Sequence, residues 1–192
     1  MNDYCTGIAY ATGYFANDGN KKYLVVRNVD KWYVENIEKE SKYHVYESKH
    51  NIDRDGKVQW TIKARDINSI TPINEIKCHQ DFCRAYIEIH GVVDLVNAKD
   101  RKGNLVKRLR LRIYGNEEII MYINKILPAG EKKIQYIKNT VDGYVGKTCA
   151  LYYQSKTEIL NILKWIDGSP KNFSVWDKWN KRIISLENWR II

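Results

Sequence analysis

The stretch that decides the fold is Gly7–Asn20, with the sequence GIAYATGYFANDGN. It consists largely of small and aromatic residues, has no Lys, Arg or Glu, and contains a single carboxylate, Asp18. An exposed helix mixes charged with apolar residues, so a helix of this composition is expected to be buried along its length. Ala9 and Gly13 are four residues apart and share one helical face, which a second backbone can approach closely. The pattern predicts a buried helix over residues 7–18, packed on another helix, with Asp18 at its C-terminal end.

The composition is that of a globular protein with excess positive charge. The 192 residues are 44% hydrophobic and 29% charged, which allows a hydrophobic core. Lys and Arg number 32 against 23 Asp and Glu, and the formal net charge of +9 favours a nucleic acid or an acidic membrane surface as partner. No apolar run reaches the roughly 18 residues of a membrane span, and the N-terminus lacks a signal-peptide pattern. A cytoplasmic protein that does not enter a membrane is expected.

The cysteines give no sign of disulfides or of a metal site. Cys5, Cys78, Cys83 and Cys149 are scattered, as is typical of reduced thiols. Cys78, His79 and Cys83 lie close together in KCHQDFC, but a structural zinc site needs four ligands, and the sequence has no second pair. A zinc site is therefore not expected.

The order of predicted elements occurs twice along the chain. An uncharged helix, a strand, a second helix, a hairpin and a third helix follow one another up to about residue 74. DFCRAYIEIHG, NLVKRLRLRIYG, NEEIIMYINKIL, a second hairpin and KTEILNILKWI repeat that order. We therefore assign residues 1–76 to a first repeat, 77–168 to a second repeat and 169–192 to a C-terminal extension. A duplication of this size predicts units related by a pseudo-two-fold axis, with the repeated helices meeting at the centre.

The C-terminal extension contains three of the six Trp residues, and two interpretations of it stay open. It forms a helix whose aromatic face packs on the second repeat, or it is a DNA-contacting tail in which Lys178, Lys181 and Arg182 flank the aromatic residues.

Two segments resemble the signature of a known family. ATGYFANDG (Ala11–Gly19) and CRAYIEIHG (Cys83–Gly91) resemble the two copies of the LAGLIDADG motif of homing endonucleases, with Asp18 and His90 at the final acid. Both copies in one chain, together with the repeated element order, are typical of single-chain, two-repeat members. The resemblance covers about residues 7–168.

This resemblance implies a fold, a partner and a reaction. The implied fold is α+β, with duplicated αββαββα units whose saddle-shaped antiparallel sheets flank a central two-helix interface in a pseudo-symmetric monomer. The implied partner is double-stranded DNA, and the implied activity is site-specific, metal-dependent hydrolysis of DNA phosphodiesters. The final acids of the family bind Mg²⁺, or Mn²⁺, so the resemblance makes Asp18 a metal ligand and Asp18 and His90 the catalytic residues.

His90 keeps other hypotheses open. Neutral imidazole is a poor ligand for magnesium, so the chain could instead be a catalytically decayed relative that binds DNA or RNA as a regulator or splicing helper. A basic interaction module without a nucleic-acid partner is a third hypothesis, because net charge can serve solubility alone.

The predicted strands have an apolar and a polar face, as expected of antiparallel sheets that pack on helices. In RLRLRI, leucines and isoleucine alternate with three arginines, with no Lys or Glu among them. Arginine forms paired hydrogen bonds with guanine edges and phosphates, which favours DNA contact over a merely solvated face. The residues assigned to DNA binding are Arg27, His44, Tyr46, Lys57, Gln59, Lys63, Arg108, Arg110 and Arg112.

Overall fold

The computed structural model describes residues 1–53, 55–141 and 144–189. The first half of the chain forms α1 (Asp3–Thr12), β1 (Gly13–Asp18), β2 (Lys21–Asn28), α2 (Lys31–Glu38), β3 (Tyr46–Ile52), β4 (Val58–Ala64) and a 3-10 turn (Ile73–Glu75). The second half forms α3 (His79–His90), β5 (Gly91–Lys99), β6 (Leu105–Gly115), α4 (Glu117–Ile126), β7 (Gln135–Val141), β8 (Tyr144–Tyr153), α5 (Lys156–Ile166) and α6 (Phe173–Trp189). None of the described helices is long and apolar enough to cross a membrane.

In the described parts of the chain, eight strands form two four-stranded antiparallel sheets with equivalent topology. The strand orders are β1-β2-β4-β3 and β5-β6-β8-β7. This confirms the predicted duplication and the predicted α+β class. The chain divides into two units, Met1–Tyr86 and Ile87–Ile192, so the division falls inside α3. The boundary between residues 76 and 77 stays a prediction.

The predicted helix over residues 7–18 is wrong at both ends. The side chain of Asn2 caps α1 by accepting a hydrogen bond from the Cys5 amide, and the helix ends at Thr12. Gly13 then adopts an extended conformation, with φ −90° and ψ 156°. The following Tyr-Phe pair favours a strand over a helix, and Asp18 therefore stands at the end of β1.

Small residues allow α1 and α3 to approach closely, as predicted. The residue at the contact is Gly7, whereas the sequence pattern pointed to Ala9 and Gly13. A Cβ added to Gly7 would lie 2.5 Å from the carbonyl oxygen of Phe82 and 2.9 Å from the Cβ of Ala85. Beside this contact, the rings of Tyr10 and Phe82 meet edge to face with centroids 5.5 Å apart. Within the first unit, α1 and the first part of α3 thus pack with their backbones nearly in contact.

The helix-covered face of the second sheet contains Leu109, Leu111 and Ile113, all of them buried. Helices α4, α5 and α6 contact strands of this sheet. The side chains of Trp176 and Trp179 of α6 are also buried. The C-terminal extension therefore packs Trp176 and Trp179 on the second unit, as the first of its two interpretations predicts.

Glu88 links α6 to the last turn of α3. Its side chain is buried. Its Oε1 accepts a hydrogen bond from Trp176 Nε1 at 2.6 Å and another from the backbone amide of Asn172 at 3.1 Å. Hydrogen bonds to a buried carboxylate offset the desolvation of its charge. Glu88 thus has a structural role in the second unit.

Candidate nucleic-acid interface

The two helices that contain the signatures end in the same way. Each is followed directly by a glycine that opens a strand, Gly13 after α1 and Gly91 after α3. A Cβ on Gly13 would lie 2.6 Å from the carbonyl oxygen of Ala9, and a Cβ on Gly91 would collide with the carbonyl oxygen of Ile87. Glycine is therefore required at both positions, where the chain leaves the helix in tight contact with its last turn.

This common construction corrects the register of the first signature. The nine residues that end at each of these glycines are CTGIAYATG (Cys5–Gly13) and CRAYIEIHG (Cys83–Gly91). The first copy therefore lies six residues before the segment identified from the sequence. In the corrected register, Gly7 corresponds to Ala85, and the positions of the final acid are occupied by Thr12 and His90.

Neither of the two signature helices, α1 and α3, has a carboxylate as its last residue. The Thr12 hydroxyl donates to the carbonyl oxygen of Ile8 at 3.3 Å, within its own helix. Asp18 instead lies opposite Lys21 at the end of β1 and forms an ion pair with Arg65, at 3.0 Å from Nη1. Both partners are about half exposed, as in an ordinary solvated ion pair. The sequence-based placement of Asp18 at a helix end is therefore wrong.

The outer face of the first sheet follows from the strand register. Residues directly opposite one another on antiparallel strands point to the same side of a sheet. Arg27 lies opposite Thr61, which in turn lies opposite Tyr46. By the same rule, Gln59 and Lys63 share this outer face, whereas the buried Leu24, Val26, Ile62 and Ala64 lie on the helix side. Arg27, Tyr46, Gln59 and Lys63 thus share the outer face of the first sheet, and their assignment to DNA binding stays a prediction.

His44 and Lys57 lie outside the strands in which they were predicted. His44 Nδ1 is 3.0 Å from Glu38 Oε1, and the same carboxylate oxygen accepts from the Val45 amide, so this segment is fixed to the end of α2. These contacts lower the pKa of Glu38, with the backbone hydrogen bond as the main cause. The Lys57 amide donates to Asp53 Oδ1 at 2.7 Å, within the turn before β4.

Two polar atoms of the first outer face have no hydrogen-bond partner among the described residues. They are Arg27 Nε and Thr61 Oγ1, both inaccessible to solvent. The guanidinium of Arg27 also lies over the ring of Tyr14, with its central carbon 5.3 Å from the ring centroid. This stacking holds the guanidinium of Arg27 against the outer face of the first sheet.

The outer face of the second sheet contains the three predicted arginines and one acid that sequence reasoning missed. Arg108, Arg110 and Arg112 alternate with buried residues along β6, and Asp94 of β5 lies directly opposite Arg110. The sequence GVVDLVNAK of β5 was not assigned to a strand. The sequence signal for this strand is the alternation of the apolar Val93 and Leu95 with the polar Asp94.

Asp94 binds two of the three arginines. Its Oδ1 is 3.0 Å from Arg110 Nε, and its Oδ2 is 2.8 Å from Nη2 of both Arg110 and Arg112. The hydrogen bond from Arg110 and the charge of Arg112 hold the pKa of Asp94 below its usual value, although partial burial opposes this shift. Arg112 Nη1 also donates to the hydroxyl of Tyr114 at 2.8 Å. We call Asp94, Arg110, Arg112 and Tyr114 the arginine cluster.

The arginine cluster can still bind a ligand. A guanidinium has five N–H donors, and Asp94 accepts two from Arg110 and one from Arg112. The remaining donors are held in fixed orientations, because a bidentate ion pair leaves the guanidinium little freedom. Arg108 is exposed, and its Nη2 is 3.3 Å from the carbonyl oxygen of Lys99. Planar acceptors such as base edges and phosphates match this donor geometry.

The chain has the fold of the LAGLIDADG homing endonucleases. It aligns over 99% of its length with 90% of I-LtrWI, a LAGLIDADG homing endonuclease bound to target DNA, at a TM-score of 0.66 and 12% identity. The LAGLIDADG meganuclease I-AabMI, bound to uncleaved DNA, aligns over 99% of this chain and 92% of its own at a TM-score of 0.67 and 8% identity. I-SmaMI, bound to an uncleaved DNA target in the presence of calcium ions, gives a TM-score of 0.64, 9% identity and coverages of 99% and 93%.

No protein-family model and no curated protein sequence matches the chain. The likeness is thus one of fold, and it confirms the fold that the resemblance of the signatures implied.

Proposed function

We propose that this protein binds duplex DNA at specific sites through the outer faces of its two sheets, and that it does not cleave the DNA. The observation behind this proposal is the arginine cluster on an uncovered sheet face, in a fold whose solved examples I-LtrWI and I-AabMI are bound to DNA. Each sheet keeps its apolar face under helices, which leaves its other face available to a partner.

The chemistry of these faces suits the major groove of DNA. Arginine forms two hydrogen bonds with the O6 and N7 atoms of guanine, and each good pair contributes about 1–3 kcal/mol of discrimination against a wrong base. Arg27 of the first sheet and Arg110 of the second both present guanidinium donors on the outer face. The formal charge of +9 adds attraction to the phosphates, which is independent of sequence.

The residues at the helix ends do not fit a Mg²⁺ or Mn²⁺ site. Magnesium prefers several oxygen ligands with negative charge, whereas Thr12 has a neutral hydroxyl that donates to its own helix and His90 has an imidazole. Asp18, the metal ligand implied by the first register, is engaged by Arg65 instead. Among the described side chains, no three His, Cys, Asp or Glu residues are grouped so that they could hold a metal ion. We therefore assign no metal and no hydrolytic step to this chain.

Duplex binding is tested by selecting a preferred site from a pool of random duplexes and titrating that site at several salt concentrations. We expect the affinity to fall by about 1,000-fold or more between about 50 and 200 mM salt, as for a protein that contacts roughly six to ten phosphates. The reason is the release of counterions from neutralised phosphates. An affinity that does not change with salt, or the failure to enrich any site, would contradict the proposal.

The absence of cleavage is tested on the same selected site, placed in a supercoiled plasmid with Mg²⁺ or Mn²⁺. We expect neither nicked nor linear product from the wild type, because Thr12 and His90 supply no carboxylate at the helix ends. Asp18→Asn is tested in parallel and should behave like the wild type. Metal-dependent cutting by the wild type that is lost in Asp18→Asn would restore Asp18 as the metal ligand and establish an endonuclease.

A further inference from the structure

A groove of about 430 Å³ lies between α6 and the beginning of β5, within the second unit. Residues 91–93 of β5 form one wall. Lys178, Trp179, Lys181 and Arg182 of α6 line the opposite side. The groove lies at β5, the edge strand of the second sheet.

Helical geometry places two cations side by side in this groove. Lys178 and Arg182 are four residues apart and therefore lie on the same face of α6. Trp179, between them, is buried and fixes this face of the helix against the unit. Both cationic side chains are exposed, so their charged groups project from a helix that is itself held in place.

The charge of the groove is positive. Lys178 and Arg182 have no hydrogen-bond or ion-pair partner among the described side chains. Lys181 is paired with Asp177 at 2.6 Å, but both groups are more than half exposed, and such surface pairs contribute little. The acid that lines the groove, Glu88, is buried, and its Oε1 is bound by Trp176 and the Asn172 amide. An anion that enters the groove therefore meets two cations without competing for their existing partners.

The groove adjoins the arginine cluster at one edge of the sheet. β5 is the edge strand of the second sheet, next to β6. Val92, which lines the groove, lies directly opposite Arg112 and two residues before Asp94. The groove therefore begins beside the outer face that holds the arginine cluster.

We propose that this groove binds the phosphodiester backbone of the DNA duplex, beside the base pairs contacted by the arginine cluster. This inference rests on the proposed function and assigns to α6 a role in affinity that is independent of base sequence. A polyanion with regularly spaced charges fits two adjacent cations on one helical face, next to a sheet that binds base edges. The basic residues of the C-terminal helix thus extend the contact with DNA, while Trp176 and Trp179 hold the helix on the fold.

The experiment compares Lys178→Ala/Arg182→Ala with the wild type on a fluorescent random-sequence duplex of about 30 base pairs, roughly 100 Å long. We expect the slope of log K against log salt to become less negative by about 2, or about 1 for each lost phosphate contact. The loss of affinity should be uniform across sequences, so discrimination for a selected site should not change. Lys178→Arg/Arg182→Lys keeps both charges and should restore the slope. Circular dichroism checks that each variant is folded.

The matched control is Lys125→Ala/Lys133→Ala, which removes two exposed cations near a different groove of the same unit. It lowers the net charge by the same amount and should leave the salt slope unchanged. If the two double variants have the same slope, the α6 site is excluded. If the two double variants have equal slopes while Arg110→Ala still weakens binding, the proposed duplex binding is supported and only the α6 site is rejected. A wild type that binds no duplex would overturn both proposals.

Discussion

Gly7→Ala should lower the free energy of unfolding by about 3 kcal/mol, a value at the upper end for overpacked cores. The added methyl group would lie 2.5 Å from the carbonyl oxygen of Phe82 and 2.9 Å from the Cβ of Ala85. The nearest atom, the carbonyl oxygen of Phe82, belongs to the backbone, so no side-chain rotation can relieve the collision. Helix α1 must therefore move away from α3. In a chain of this size, the loss corresponds to a decrease of roughly 6–12 °C in melting temperature.

Gly130→Ala provides a matched control for this substitution. Its added Cβ would meet only side-chain ends, Glu158 Oε1 at 3.5 Å and Lys132 Nζ at 3.9 Å, which is ordinary van der Waals contact. Replacing a glycine without strain reduces the entropy of the unfolded chain and should stabilise the protein by about 0.4–1 kcal/mol. Calorimetry of both variants measures the difference. Equal melting temperatures would mean that α1 and α3 do not pack as closely as described.

Arg110→Ala should weaken binding to the preferred DNA site by about 1–3 kcal/mol, or roughly 5- to 150-fold. Arg110 is the cluster arginine that Asp94 holds by two hydrogen bonds, so its remaining donors are already oriented when DNA arrives. The loss should be largest at one or two base pairs of the site. Competition with singly substituted duplexes measures this. Lys125→Ala, which removes one charge from α4, controls for the change in net charge.

Asp94→Asn separates orientation from charge at the same place. The amide keeps the shape of the side chain but removes the negative charge that neutralises part of the arginine cluster. Affinity for random duplexes should therefore rise and become more dependent on salt, because the face gains one net positive charge. Discrimination between the preferred site and random DNA should fall, since Arg110 and Arg112 lose a charged, bidentate partner. Unchanged discrimination would show that Asp94 does not position the arginines.

Periodicity and element order predicted much of this fold from the sequence. The duplication, the buried α3, the alternation of β6 and the helical extension all follow from patterns of apolar residues. The strands β1 and β5 were missed, because GYFAND and GVVDLVNAK directly continue sequences that read as helices. Only the backbone shows that the chain turns at Gly13 and Gly91.

The candidate site was harder to predict than the fold. Thr12 is an ordinary residue in sequence, whereas Asp18 is a lone acid that attracts a catalytic assignment. The choice between them depends on where α1 ends. The sequence alone does not decide this, because Cys5–Gly13 and Ala11–Gly19, six residues apart, both end in glycine. The pairing of Asp94 with Arg110 and Arg112 depends on the register between strands, which the sequence of either strand alone does not determine.

The contact between Glu88 and α6 can form only late in the synthesis of the chain, because its two partners are far apart in sequence. The Asn172 amide that binds Glu88 belongs to a residue made 84 positions later. At about 5–20 residues per second, roughly 4–17 s pass between the synthesis of these two partners. The first sheet and its helices are complete in the nascent chain by then, whereas the carboxylate of Glu88 still lacks two of the donors that it uses in the finished fold. The second unit therefore cannot complete its contacts until α6 has been synthesised, and a chain truncated before Asn172 lacks the donors of Asn172 and Trp176 for this carboxylate.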